Sequence, residues 1–141
     1  MADSSRHSKP IGKGDDDAKN LIIEALDGKV TGGFDLDSIY RIGDSYAVLE
    51  FLKCDTVRPN DSHPRRYWNK NKQKFISLWD ITQKLEGQLY LINYEDSREQ
   101  FRVIKVLELD KHGIQKEIIK TWNMAQFSKW FQDLNHRAIH S

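Results

Sequence analysis

Residues 46–54 read YAVLEFLKC. A run of apolar, strand-forming residues is interrupted by Glu50, and Lys53 follows three places later. Burying a carboxylate costs on the order of several kcal/mol unless something binds it. Upstream, FDLDSIYRI (34–42) carries Asp35 and Asp37. If Ile42 pairs with Ser45 across the turn Gly43-Asp44, successive pairs bring Asp37 directly opposite Glu50. Such partners share one face of the sheet with Cβ atoms ~5 Å apart. Two carboxylates there repel unless a cation sits between them. A hard divalent ion, Mg2+ or Mn2+, takes oxygen ligands and needs only one or two protein carboxylates, with water or phosphate completing its shell. A lysine alongside would orient an attacking water or offset charge in phosphoryl transfer. The same residues also fit a solvated sheet face carrying unrelated charges.

The next chemistry lies in RPNDSHPRRYWNKNKQK, residues 58–74. Arg58, Arg65, Arg66, Lys70, Lys72 and Lys74 stand there against a single acid, Asp61, with Tyr67 and Trp68 interleaved. A basic cluster at a loop-to-helix junction suits phosphate contacts; it also fits a solvated helix face. His63 lies in the same loop, where it could meet a phosphate or act as a base, or have no special role. His136 and His140 have helical i, i+4 spacing but lack a clear further metal ligand. Cys54 has no ordered His partner and reads as a small buried or edge thiol.

Several elements must position these groups. A helix is expected from about Asp16 to Leu26, with acidic residues 15–17 at its positive end and Gly28 just beyond it. Ala18, Leu21, Ile22, Ala25 and Leu26 form its apolar stripe, and Glu24 lies off it. Residues 34–42 and 46–53 read as a hairpin, Gly43 favouring a type II′ turn. Leu36, Tyr40, Ile42, Ala47, Leu49 and Phe51 then take the face opposite the acids. A Pro-punctuated loop (54–66) precedes a helix over about 67–85. Strands follow at 88–95, 101–110 and 114–122, the last two as an antiparallel hairpin. A final helix spans about 124–134, with Asn123 and Gln126 as a capping box. Residues 1–15 read as a disordered tail and 16–141 as one α/β (α+β) domain, a central mixed β-sheet flanked by helices.

A first helix, an Asp on one strand and V-L-E-F-x-K on the next resemble the PD-(D/E)XK nuclease superfamily, over about residues 16–95. The resemblance implies a restriction-endonuclease-like core and Mg2+-dependent hydrolysis of DNA phosphodiesters. It implies Asp37 (or Asp35) and Glu50 as metal ligands, Lys53 assisting the attacking water, and Glu24 as the helix carboxylate that some members carry. The chain departs from that pattern, because Glu50 and Lys53 are three apart where the family has Glu-x-Lys. Strand side chains alternate, so Lys53 should face away from Glu50. A β-bulge at Phe51–Leu52 would restore it; otherwise a lysine from elsewhere must serve, or the site is inactive. The basic residues named above would grip the DNA backbone, double-stranded DNA being the expected partner. A homodimer or a partner protein would assist so small a chain. The rival reading is a non-catalytic module of the same fold that holds nucleic acid or an acidic protein.

Composition bounds these readings. The chain has 141 residues and a net charge of +1, so any nucleic-acid affinity must come from a local patch. One cysteine excludes an intramolecular disulfide and a zinc ribbon, and suits a reducing, cytoplasmic compartment. No apolar run approaches the ~18 residues of a membrane span, and no Gly-rich phosphate loop is present.

Overall fold

The computed structural model describes residues 14–141. The expected N-terminal tail lies outside the described residues, apart from the end that joins the first helix. The chain divides into two compact units, one ending at Asp35 and one spanning Leu36–Ser141. The first carries α1 (Gly14–Leu26), which starts two residues before the expected Asp16.

The second unit is an α+β domain. It holds β1 (Ser38–Ile42), β2 (Ser45–Lys53), α2 (Trp68–Lys84), β3 (Gln88–Tyr94), β4 (Phe101–Asp110), β5 (Gly113–Trp122) and α3 (Met124–Ile139). The strands form one mixed sheet in the order β1-β2-β3-β4-β5. β1–β2, β3–β4 and β4–β5 are antiparallel, and β2–β3 is parallel. A parallel pair needs a long crossover, and residues 54–87 with α2 supply it.

The β1–β2 hairpin has the register expected from its turn. Ile42 pairs with Ser45 and Ser38 with Leu49. Gly43 has φ 62° while Asp44 is not left-handed, the φ pattern of a type II′ turn. α2 ends where Glu86 turns left-handed (φ 54°) and Gly87 donates to the Thr82 carbonyl at 2.9 Å. A Cβ on Gly87 would run into the Tyr46 carbonyl oxygen, so close backbone approach selects glycine there. α3 is capped as expected, with Asn123 and Gln126 exchanging 2.9 Å hydrogen bonds. It runs five residues beyond Leu134, because 135–139 contain no glycine or proline to stop it.

Each sheet face has its own core. Under α2 lie Val48, Trp68, Phe75, Leu78, Leu89, Leu91, Ile104 and Val106. Under α3 lie Ala47, Leu49, Ile92, Phe101, Val103, Phe127 and Leu134, ringed by Tyr40, Phe51, Tyr90, Trp122, Trp130 and Phe131. Among the described residues, no helix is long and apolar enough to cross a membrane.

Candidate active site

β1 begins at Ser38, and the side chain of the residue before it continues the pairing with β2. Asp37 Oδ2 accepts the Phe51 backbone N–H at 2.8 Å. This anchors the carboxylate beside Glu50, which β2 turns inward onto the α2 face. Glu50 is 1% exposed, as deep as the leucines around it.

Helix α2 brings a cation to this point. Lys74 flanks the apolar stripe of Phe75 and Leu78, and its Nζ lies 2.6 Å from Glu50 Oε2. The contact is one of charge more than of directed hydrogen bonding. Both Glu50 oxygens are buried without a hydrogen bond of good geometry, and close approach of opposite charges does not itself guarantee one. Burial pushes the Glu50 carboxyl up to about 7. The neighbouring Asp37 carboxylate pushes the same way, and Lys74 opposes it. Tyr67, half-buried at the start of α2, is pushed up to about 12 by burial, with the charges of Cys54 and Glu50 adding to the effect and Arg66 opposing it.

Lys53 is not part of this group. The β2–β3 register runs without interruption from Ala47 to Lys53, so no bulge forms at Phe51–Leu52. The register shifts lie instead in β4, between Val106 and Leu109. Strand alternation therefore leaves Leu52 on the Glu50 side, packed into the α2 core, and turns Lys53 away. Lys53 pairs with Asp96 at 3.1 Å and more loosely with Asp55 at 3.9 Å. Glu24 and Asp35 belong to the unit that ends at Asp35, where Lys19 holds Asp35 at 3.5 Å. The site described here is built from residues 36–141 alone.

The basic segment is divided by its surroundings. Arg58 is engaged by acids 37 and 41 residues away: it donates to both Glu95 oxygens (3.1 and 2.7 Å) and to Glu99 (3.1 Å). Chiefly that bond from Arg58, with help from Ser97 and the Gln100 N–H, holds the Glu95 carboxyl down at about 2. Arg58 is thus occupied by two carboxylates, while half of its side chain stays exposed. Lys70 is exposed, one helical turn from Lys74 on the same side of α2. Lys72 is about 200° around the helix from both, on the opposite border of the apolar stripe. Arg66 is exposed and reaches Ser62 Oγ at 3.4 Å, and Arg65 points into a cleft on the far side of α2.

No protein family, curated protein or solved structure matches this chain.

The site therefore rests on its own geometry. Among the described residues, no group of three or more His, Cys, Asp or Glu side chains is gathered as a metal cage. Mg2+ does not require one, since it retains several waters and accepts one or two carboxylates. Two adjacent carboxylates, one with both oxygens buried and poorly hydrogen-bonded, are hard oxygen donors that fit such an ion.

Other polar groups were hidden from a sequence reading because their partners are distant. Buried Asn93 donates to the Ser62 carbonyl at 2.9 Å, and Arg102 donates to the same oxygen at 2.8 Å. His63, 5% exposed, meets Glu117 through Nε2, and its Nδ1 accepts the Arg65 N–H at 3.1 Å. These bonds tie the short 3-10 turns Pro59–Asp61 and Pro64–Tyr67, which lead into α2, to β3, β4 and β5.

Proposed function

We propose that the chain is a Mg2+- or Mn2+-dependent nuclease of the PD-(D/E)XK type, acting on DNA, with Lys74 in place of Lys53. The observation that carries this reading is the buried Glu50 with Asp37 on one side and the Lys74 ammonium at 2.6 Å on the other. An acid-bearing hairpin in a mixed sheet, followed by a helix crossover, also supports the restriction-endonuclease-like core.

Asp37 and Glu50 would hold the divalent ion, which supplies charge neutralisation and Lewis acidity at the scissile phosphate. Lys74 keeps a positive charge at the edge of a low-dielectric core. From there it can orient a water by hydrogen bonding and offset charge as the phosphodiester opens. Asp37 is itself oriented by the Phe51 N–H, so its carboxylate is set before substrate arrives. Lys70, one turn nearer the helix start, extends the positive strip along which a DNA strand would lie. The small size of the domain favours action as a homodimer or with a partner protein.

Glu50 must be ionised to hold a cation. With its carboxyl pushed up to about 7, cleavage at limiting metal rises as pH passes from 6 to 8. The second reading, a non-catalytic nucleic-acid module, is favoured by one observation: Leu52, not a lysine, follows Glu50 on its own face. Plasmid nicking with Mg2+ or Mn2+ separates the two. The nuclease reading expects metal-dependent cleavage that falls at least about 100-fold in Glu50→Ala. Cleavage unaffected by that substitution removes the site assignment, and no cleavage with either metal selects the module.

A further inference from the structure

A second concave site lies on the α2 side of the sheet, at the edge away from Glu50. It is a cleft of about 490 Å³ between the start of α2 and the β4–β5 turn, within the size range of small-ligand pockets. Its walls are mostly polar. Arg65 enters from one side and makes no ion pair among the described residues. Trp68, 9% exposed, contributes to the wall and stacks on Phe75 at 5.7 Å. His112 and Gln115 come from the β4–β5 turn and the start of β5.

Glu117 is the group that decides what could enter. Its carboxylate is held by His63 Nε2 at 2.7 Å. Because His63 Nδ1 accepts the Arg65 N–H, the ring proton sits on Nε2 and is donated to Glu117. Glu117 is thereby fixed in orientation yet remains 20% exposed, with acceptor capacity left over. A fixed carboxylate in a concave site disfavours a bare phosphate backbone but welcomes N–H donors. The free guanidinium beside it favours an anion. A nucleotide combines both, with amino and imino donors on its base and a phosphate one sugar away. Duplex DNA cannot present them here, since its bases are stacked and paired inside the helix.

We propose that this cleft binds one unpaired nucleotide of a DNA strand, its phosphate at Arg65 and its base against Trp68, His112 and Glu117. The inference deepens the nuclease reading and rests on its choice of DNA: it names strands with unpaired segments as the preferred substrate. The test is fluorescence anisotropy in EDTA, with a labelled single-stranded 12-mer and a blunt duplex of the same sequence. The single strand is expected to bind at least about fivefold tighter, in line with one accommodated base. Arg65→Ala and Glu117→Gln should each abolish that preference, and Glu117→Gln should leave duplex affinity within about twofold; glutamine retains an acceptor for His63 and so preserves the fold. Equal or tighter duplex binding by the wild type, or a preference that survives Arg65→Ala, overturns the proposal. Binding is read without metal, so its outcome is independent of cleavage. A protein that prefers single strands through Arg65 but never cuts loses the nuclease reading alone. One that cuts through Glu50 but shows no Arg65-dependent preference loses only this inference.

Discussion

The two faces of the sheet are packed in different ways. Under α3 the core is apolar and aromatic: Phe101 stacks on Phe127 at 4.4 Å, and Tyr40, Phe51, Tyr90, Trp122, Trp130 and Phe131 close around them. Under α2 the apolar core is interrupted by Glu50, Asn93, His63 and Thr82, all buried. Thr82 returns its hydroxyl to the Leu78 carbonyl at 2.6 Å, and Asn93 and His63 secure the loop before α2. Glu50 differs from them: its close partner is the Lys74 ammonium of α2. It links no loop to the sheet, its oxygens lack well-directed hydrogen bonds, and its carboxyl is pushed away from its ordinary range. The α3 face is built for packing alone, whereas the α2 face carries a buried carboxylate whose cost the proposed metal site would explain.

Substitutions can break or sharpen this contrast. The largest stability effect should come from the α3 face. Phe127→Ala removes a stacked, 8%-exposed ring and should cost about 3–5 kcal/mol in urea unfolding. A loss below ~1 kcal/mol would show that this face is not the stabilising one.

Glu50 should behave in the opposite sense. Its folded-state carboxyl sits at about 7 against an ordinary 4.5, so between those values the native state binds the extra proton and stability falls as pH rises. The full difference corresponds to about 3 kcal/mol. Metal-free Glu50→Gln should therefore match the wild type near pH 4 and exceed it by up to about 3 kcal/mol at pH 8. A glutamine variant less stable than the wild type at pH 8 would make the Glu50–Lys74 contact a structural ion pair.

The Arg58–Glu95 pair titrates on the acid side. Glu95 is held at about 2, so its contribution is complete above about 4.5 and disappears as pH falls toward 2. Melting curves of Arg58→Ala should lose much of that acid-side decline. An unchanged decline would detach Glu95 from Arg58. The smallest effect belongs to Lys53, whose partners Asp96 and Asp55 are both exposed. Lys53→Ala should alter stability by less than about 1 kcal/mol.

The sequence made the acid pair legible because a hairpin carries its own register. Gly43 set the turn, the turn set the pairing, and the pairing put Asp37 beside Glu50. Lys74 could not be assigned in the same way. Its distance from Glu50 depends on how α2 rotates against the sheet, which is decided by Trp68, Phe75 and Leu78 packing against strands far away in sequence. The surroundings of the basic cluster were illegible for a related reason. Local sequence showed six cations and one acid between 58 and 74, but not Glu95 and Glu99 waiting for Arg58 across the fold. The His63–Glu117 contact, 54 residues apart, was hidden likewise.

The central claim is that Lys74, and not Lys53, serves the carboxylate pair. Mn2+-dependent nicking rates of Lys74→Ala and Lys53→Ala, measured side by side at pH 8, test it most directly. The account predicts a loss of at least about 100-fold for Lys74→Ala and a rate within about twofold of wild type for Lys53→Ala. Full activity in Lys74→Ala, or a large loss confined to Lys53→Ala, would contradict it.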